Sequence, residues 1–423
     1  MSWHPVLSGA DADSARAVAF EVGSRLAARE RGAEDRVAAG LGSPDTSIAL
    51  LCAQLDRALP DAGWDRAGHV HLTTAAQAAE RDGAPLGLFD GVAGLGFTAE
   101  RLAAGRARYG TLLTAIDDAI AGGVSATSAR LARTKGMPVG AWDLISGITG
   151  IGTYLLTRRE EPAARAALDE TLTALVDLTR ETDDVPRWAT PHEHVYEDMQ
   201  ASAPEGNLNC GLAHGAPGPL ALMSLALAEG VEVSGQADAV RRLADWVAGQ
   251  CQPGRFGPEW PSAIPLGGAN RQDQPLPRPG WCYGNAGVAR ALWLAGGALD
   301  EPELARLAER ALRTALERQR SERSLDTPTF CHGMAGLAEV TLRMAAESGA
   351  EDLSREAGML CVEVVERFDP DAPLGYRGDT QVRELRGPEV DATLLEGAAG
   401  SALVLLAAAT DTDPGWDRAM LLS

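Results

Sequence analysis

The 423-residue chain is short of positive charge, with 38 lysine and arginine residues against 59 aspartate and glutamate residues. A formal net charge of −21 repels phosphate groups, which excludes nucleic acid and anionic membrane surfaces as primary partners. No uncharged apolar run approaches the roughly 18 residues of a membrane span. The N-terminus lacks a basic segment followed by an apolar one. We therefore expect a cytoplasmic protein that is not integral to the membrane.

Cysteine is also scarce, with six residues scattered at positions 52, 210, 251, 282, 331 and 361. Six dispersed cysteines do not make a disulfide framework in a chain of this length, which predicts reduced thiols with individual roles. No stretch of useful length alternates apolar and polar residues as a strand would. The sequence therefore predicts an all-α fold.

What the chain does have is a repeated Gly-x-x-Gly pattern flanked by apolar residues, about 50 to 70 residues apart. Six copies are clear: Gly91 to Gly94, Gly147 to Gly150, Gly215 to Gly218, Gly284 to Gly287, Gly333 to Gly336 and Gly397 to Gly400. A seventh, eroded copy stands at Gly42-Ser-Pro-Asp45 and is followed by the apolar run 48–52.

Each glycine pair separates two kinds of predicted helix. The run after it is apolar on nearly all sides, which predicts a buried inner helix, and the segment before it is amphipathic, which predicts an outer helix. Their alternation predicts an α/α toroid of six or seven hairpins in a single domain, 1–423, with the repeats at about 40–410. We expect long loops or a small insertion at one mouth, at Asp183 to Gly206, Gln252 to Pro279 and Asp369 to Asp391.

Cysteines precede the glycine turns of two adjacent repeats. Cys282 lies two residues before Gly284, Cys331 lies two before Gly333, and His332 stands beside Cys331. In a closed barrel these turns meet at one end, so two thiolates and an imidazole are expected to converge, a donor set that suits one catalytic Zn²⁺ with an open position. The alternative is two core cysteines and a hydrogen-bonded histidine.

A second group of polar residues lies at the same turns. His214 directly precedes its glycine turn and Asp143 lies four residues before its own, so the carboxylate is placed to orient the imidazole as a general acid/base. Arg278 is a candidate for holding developing negative charge and Tyr283 for donating a hydrogen bond. Structural roles are the alternatives: a turn histidine, a surface ion pair and a packed ring.

Four further histidines and four further cysteines are predicted to be structural. His192 and His194 have metal-like spacing but lie in a polar loop, and His69 and His71 are similar. Cys210 is expected to be a buried thiol. The other three cysteines fall within helical runs and are predicted to be core: Cys52, Cys251 and Cys361.

The segments Trp281-Cys282-Tyr283-Gly284, Cys331-His332-Gly333 and His214-Gly215, with the six repeats, resemble the lanthionine synthetase C-like family of lanthipeptide cyclases. The resemblance covers about residues 40 to 410, and the eroded first repeat departs from it. It implies an α/α toroid with one zinc held by Cys282, Cys331 and His332. It also implies His214 and Asp143 as the acid/base pair, with Arg278 and Tyr283 in support. A precursor peptide with dehydrated Ser and Thr is the implied substrate, and a dehydratase and exporter at the inner membrane face are implied partners.

The expected reaction is an intramolecular Michael-type addition of peptide cysteine thiolates to dehydroalanine or dehydrobutyrine, forming thioether rings. His214 then either delivers the proton to the α-carbon or accepts the thiol proton. Three alternatives stay open at this point. They are a relative that adds glutathione to dehydrated proteins, a non-catalytic zinc-stapled peptide-binding scaffold, and a glycosidase using Glu396 and Asp90, each directly before a glycine turn.

Overall fold

A computed structural model describes residues 3–29, 39–134, 136–182, 185–195, 197–267, 274, 276–377 and 391–423. Within those ranges, inner helices, which are buried on nearly all sides, alternate strictly with outer helices, which expose one face. The outer helices are α1 (Gly9–Ala27), α3 (Trp64–Asp82), α5 (Gly110–Arg133), α7 (Pro162–Leu178), α10 (Gln236–Gly249), α12 (Pro302–Glu322) and α14 (Glu351–Glu366). The inner helices are α2 (Pro44–Ala58), α4 (Val92–Ala103), α6 (Ile148–Thr157), α9 (Pro217–Ala228), α11 (Asn285–Ala298), α13 (Met334–Ser348) and α15 (Ala398–Ala409).

Short elements fill the connections. The short helix α8 is Glu197–Gln200, and 3₁₀ turns cover Val139–Ala141, His192–His194 and Gly415–Met420. In the described part of the chain, six strands of two or three residues pair antiparallel as β1 with β2, β3 with β6 and β4 with β5. Their bounds are β1 Glu181–Thr182, β2 Val185–Pro186, β3 Asn207–Asn209, β4 Gln252–Pro253, β5 Pro258–Glu259 and β6 Ala263–Pro265. Among the described helices, none is both long and apolar enough to cross a bilayer.

The chain divides into two compact units, of which the first comprises Met1–Pro85, Phe89–Leu113 and Arg323–Ser423. In it α2 packs on α3, α4 and α15, while α15 also packs on α1 and α13. A charged cluster is buried there: the Arg343 guanidinium pairs with Asp417, and Glu339 on α13 is fully buried beside them. Burial and the Asp417 carboxylate raise the pKa of Glu339 well above its usual range.

The second unit comprises Leu86–Leu88 and Thr114–Glu322. Its inner helix α9 packs on α6 and α11, and the outer helices α7, α10 and α12 cover them. Two of the three predicted loop segments lie in this unit and carry α8 and four of the short strands, β2, β4, β5 and β6, while β1 and β3 directly flank the first segment. Parts of all three segments lie outside the described residues, at 183–184, 196, 268–273, 275 and 378–390.

The glycine pairs start the inner helices, as the sequence predicts. The first glycine is the N-cap of five of them, as Gly147 is for α6, and the second glycine lies in the first helical turn. A Cβ at Gly150 or Gly400 would lie only 2.1 Å from the carbonyl oxygen of the residue six positions earlier. The second glycine is therefore required because the helix packs directly on the backbone of its own entry turn.

The eroded seventh copy forms a complete inner helix. Ser43 caps α2 by accepting the amide of Thr46 at 3.3 Å, and Pro44 occupies the first helical turn. Neighbouring repeats of this unit are tied to it by hydrogen bonds, from the Gly42 amide to the Phe89 carbonyl at 2.8 Å and from the Leu394 amide to the Ser47 hydroxyl at 2.9 Å. The lost glycine has therefore not removed the repeat from the packing of its unit.

Candidate functional site

Asp143 and His214 form a direct pair. The Asp143 side chain is 1% exposed, and its Oδ2 lies 2.6 Å from Nδ1 of His214, whose side chain is 23% exposed. The other carboxylate oxygen, Oδ1, accepts the backbone amides of Ser146 at 2.8 Å and Gly147 at 3.0 Å in the turn before α6. Three donors thus hold the carboxylate in one orientation, in which it engages the imidazole through Nδ1 and not through Nε2.

Backbone hydrogen bonds join the turns that carry these residues. The Leu144 amide donates to the Ala213 carbonyl at 3.1 Å, which links the turn of Asp143 to that of His214. The Ala213 amide in turn donates to the Cys282 carbonyl at 3.4 Å. Consecutive glycine turns of this unit are therefore in direct contact. The regular spacing of the Gly-x-x-Gly turns predicts that they lie close together in this way.

Tyr283 lies beside His214, with the two ring centroids 6.2 Å apart. Its hydroxyl accepts a hydrogen bond from the Asn209 side-chain amide at 2.9 Å, and Asn209 Oδ1 accepts the Gly211 amide at 2.9 Å. The sequence does not predict Asn209 as a site residue because it lies in the short strand β3 and not next to a Gly-x-x-Gly turn. The available signal was a polar residue five positions before His214 in a segment that is otherwise small and apolar.

Cys282, Cys331 and His332 are brought together. Their candidate ligand atoms, two thiol sulfurs and one imidazole nitrogen, all lie within 4.8 Å of one another, and each residue is half-buried. Zn–S and Zn–N bonds of about 2.3 and 2.1 Å place ligand atoms of a tetrahedral site roughly 3.5 to 3.8 Å apart. The donor set and its spacing therefore fit a zinc ion with three protein ligands.

The turn carrying Cys331 and His332 is fixed by the next repeat. The amides of Phe330 and Cys331 both donate to the Leu395 carbonyl, at 3.1 and 2.9 Å. The following residue, Glu396, places Oε2 3.5 Å from Nε2 of His332. The sequence offers Glu396 only as a candidate glycosidase carboxylate, and the structure places it against a candidate metal ligand.

Arg278 is half-buried in the turn before Cys282, and its carbonyl accepts the Gly280 amide at 2.8 Å. Gly284 approaches the same carbonyl so closely that a Cβ would lie 2.2 Å from it, and its φ of +96° favours glycine. The backbone of Arg278 is thus part of the turn that presents Cys282 and Tyr283. Its role toward developing charge stays a prediction.

The other candidate residues have structural partners. His71 pairs with Asp45 at 2.9 Å, and His192 contacts the Ala203 carbonyl at 3.0 Å. His69 lies 3.2 Å from the Tyr109 hydroxyl, and His194 is an exposed residue of a 3₁₀ turn. The thiols predicted to be core are buried at three positions: Cys52, Cys210 and Cys361. The prediction is wrong for Cys251, which is half-buried because α10 ends at Gly249, two residues before it.

Comparison with known proteins identifies the relatives of this chain. The profile of a family described as "Lanthionine synthetase C-like protein" matches residues 41–421, nearly the whole chain. The chain belongs to this family. Among curated proteins, the nisin biosynthesis protein NisC of Lactococcus lactis subsp. lactis is 24% identical over 245 residues, which cover 56% of this chain. The match spans only 57% of the length of NisC.

A solved structure named "Nisin cyclase" superposes on this lanthionine synthetase C-like chain with a TM-score of 0.78. The superposition covers 97% of each chain at 19% sequence identity. It confirms the predicted fold class, an all-α protein of the α/α toroid type. The single domain over residues 1–423 stays a prediction.

Proposed function

We propose that this family member is a lanthipeptide cyclase that forms thioether rings by zinc-dependent intramolecular addition of cysteine thiolates to dehydroalanine or dehydrobutyrine. The observation that carries the proposal is the convergence of two thiols and an imidazole, Cys282, Cys331 and His332, within 4.8 Å. Membership of the lanthionine synthetase C-like family over residues 41–421 supports the reaction class. The second support is the hydrogen-bonded pair of His214 and Asp143.

Cys282, Cys331 and His332 are the proposed ligands of one zinc ion per chain. A free peptide thiol has a pKa near 8.5, so only a few per cent of it is nucleophilic thiolate at neutral pH. Held by these three residues, a zinc ion would act as a Lewis acid that lowers the pKa of the substrate thiol. Two anionic cysteine ligands keep the total charge of such a site low, which preserves the nucleophilicity of that sulfur.

His214 is the proposed proton carrier. The sulfur attacks the β-carbon of the dehydroamino acid, the π electrons move toward the amide oxygen as an enolate, and the α-carbon then takes up a proton. Because Asp143 engages Nδ1, the proposed proton transfer runs through the other ring nitrogen, Nε2. The buried carboxylate also stabilises the imidazolium that exists between proton uptake and proton delivery.

Arg278 and Tyr283 are proposed to support the developing negative charge. The Tyr283 ring lies beside that of His214, and its hydroxyl oxygen accepts a hydrogen bond from Asn209, which leaves the O–H proton to be donated elsewhere. Arg278 belongs to the turn immediately before Cys282 and supplies a permanent cation. A guanidinium and a phenol offer the enolate oxygen hydrogen-bond donors that water would otherwise supply.

The proposed substrate is a precursor peptide in which Ser and Thr are already dehydrated. Association with a dehydratase and an exporter, and a cytoplasmic location at the inner face of the membrane, belong to the same proposal. No primary role is assigned to nucleic acid because of the net charge of −21.

A synthetic peptide with one dehydroalanine and one cysteine tests the proposal. Cyclisation leaves the mass unchanged, so remaining free thiol is alkylated with N-ethylmaleimide and the products are measured by mass spectrometry. We expect the wild-type protein to accelerate loss of alkylatable thiol, and Cys282→Ala to return it to the uncatalysed rate. Cys251→Ala, which removes a half-buried thiol outside the cluster, is the matched control and should retain full activity.

Two results contradict the proposal. Equal rates in the wild type and Cys282→Ala would show that the cysteine cluster does not take part in the reaction. With glutathione added, a mass gain of the tripeptide in place of ring formation would identify an intermolecular thiol transferase instead.

A further inference from the structure

Every clear repeat has a polar residue directly before its first glycine. We call this the pre-glycine position, and its occupants are Asp90, Ser146, His214, Tyr283, His332 and Glu396. The proposed function uses three of them, as proton carrier, hydrogen-bond donor and metal ligand. Glu396 occupies the same position in the sixth repeat and has no role in that account.

The backbone holds Glu396 next to His332. The Leu395 carbonyl accepts the amides of both Phe330 and Cys331, so the turns of the fifth and sixth repeats are joined at the residues beside the two side chains. Oε2 of Glu396 lies 3.5 Å from Nε2 of His332. Both side chains are partly exposed, at 36% and 30%, and so face an accessible space and not the helical core.

The turn carrying Glu396 is itself braced. Oδ1 of Asp391 accepts the Thr393 amide at 2.7 Å and its hydroxyl at 2.5 Å, and the Asp391 carbonyl accepts the Ala398 amide at 3.0 Å. The Glu396 amide then donates to the Thr393 hydroxyl at 3.4 Å. These hydrogen bonds fix the backbone from which the Glu396 side chain projects, and a fixed backbone is a requirement for a positioning residue.

We propose that Glu396 is a positioning residue for His332: its carboxylate accepts a hydrogen bond from Nε2–H, so that Nδ1 is the atom that binds zinc. This inference rests on the proposed function. A histidine that binds a metal through one nitrogen commonly donates the N–H of the other to a carboxylate, which fixes the tautomer and makes the ligand more basic. Among the described residues, the group of donors whose ligand atoms all lie within 4.8 Å of one another contains His332 and does not include Glu396.

The experiment measures metal binding without activity. Purified apoprotein competes for Zn²⁺ with a chromophoric chelator, and the Co²⁺-substituted protein is examined by visible absorption. We compare the wild type with Glu396→Ala, which removes the acceptor, and Glu396→Gln, which keeps an acceptor oxygen but loses the charge. Glu366→Gln, an exposed residue at the end of α14, controls for the loss of one negative charge.

We expect Glu396→Ala to weaken zinc binding about 10-fold to 100-fold and to shift the Co²⁺ absorption bands. Glu396→Gln should recover part of the loss, and Glu366→Gln should match the wild type. Unfolding of the apoproteins should be the same in all four, because the role concerns the metal and not the fold.

Wild-type affinity and an unchanged Co²⁺ spectrum in Glu396→Ala would overturn the positioning role and leave the proposed function standing. A wild-type protein that binds no zinc would overturn both. If Glu396→Ala lowers apoprotein stability as much as metal affinity, Glu396 has a structural role and the inference is wrong.

Discussion

Replacing Asp143 with asparagine is a direct test of the acid/base pair because the structure dictates how the new amide must face. Oδ1 of Asp143 accepts two backbone amides, from Ser146 and Gly147, and only an oxygen can take that place. The nitrogen of the introduced side-chain amide must therefore point at Nδ1 of His214, where Oδ2 now lies 2.6 Å away. An N–H donor there forces Nδ1 to accept and moves the ring proton to Nε2.

The expected loss is large because the tautomer change disables the working nitrogen. Nε2 can no longer take up a proton, and the carboxylate that stabilises the imidazolium is gone. General acid–base catalysis contributes about 10²-fold to 10⁴-fold, so kcat should fall by a factor in that range, equivalent to about 2.7 to 5.5 kcal/mol. Zinc content and thermal stability should not change, because both backbone hydrogen bonds survive.

The assay is the dehydroalanine peptide reaction, followed by alkylation and mass spectrometry, with zinc content measured in the same samples. Asp143→Ala is the less informative variant, since it also removes the acceptor for two turn amides and costs about 0.5 to 2 kcal/mol of stability. If Asp143→Asn retains more than half of the wild-type rate, the pair does not carry the proton and the reasoning from its geometry is refuted.

Three further predictions concern the site and the fold. Tyr283→Phe removes the hydroxyl that Asn209 orients, so kcat should fall several-fold, about 1 kcal/mol, with zinc content unchanged in the same assay; an unaltered kcat would contradict its role. Gly400→Ala should lower the free energy of unfolding, measured in urea, by about 1 to 3 kcal/mol because the added Cβ clashes with backbone. Gly122→Ala, at an exposed position within α5, should raise the free energy of unfolding by about 0.5 to 1 kcal/mol. Equal effects of the two substitutions would contradict the packing argument. The pKa of Glu339 is raised in the folded protein, where the side chain is neutral. Its contribution to the free energy of unfolding is therefore complete below the pKa of the unfolded chain, about 4.3, and declines as the pH rises toward the pKa of the folded state. Thermal unfolding of Glu339→Gln should therefore show a stability relative to wild type that increases from pH 5 to pH 8, and a constant difference would contradict the buried neutral acid.

Much of the fold was predictable because the repeat is encoded locally. The second glycine of each pair is needed where a helix packs on its own entry turn, as at Gly150 and Gly400. This steric requirement therefore appears in the sequence as a glycine at a fixed place in each repeat. An inner helix that is buried on all sides appears in the sequence as a run of apolar and small residues. The apolar run 48–52 therefore predicts α2 although its glycine pair is eroded, and the structure shows Ser43 and Pro44 at its start.

Site residues could be predicted where they occupy equivalent positions in the repeats, directly before the glycine turns. Cys282, Cys331 and His332 converge because each stands one or two residues before a glycine turn. Asn209 escaped prediction because it reaches Tyr283 from a short strand between repeats, where no periodicity applies. The contact of Glu396 with His332 depends on backbone pairing of two turns, which the sequence does not reveal.

The central claim is that Cys282, Cys331 and His332 hold one zinc ion, and zinc content per chain tests it most directly. Elemental analysis of the purified protein, after equilibration with zinc and removal of the excess, should give one zinc per wild-type chain. Cys331→Ala should lose it, while Cys251→Ala should keep it. A wild-type protein without bound zinc, or equal zinc in the wild type and Cys331→Ala, would contradict the account.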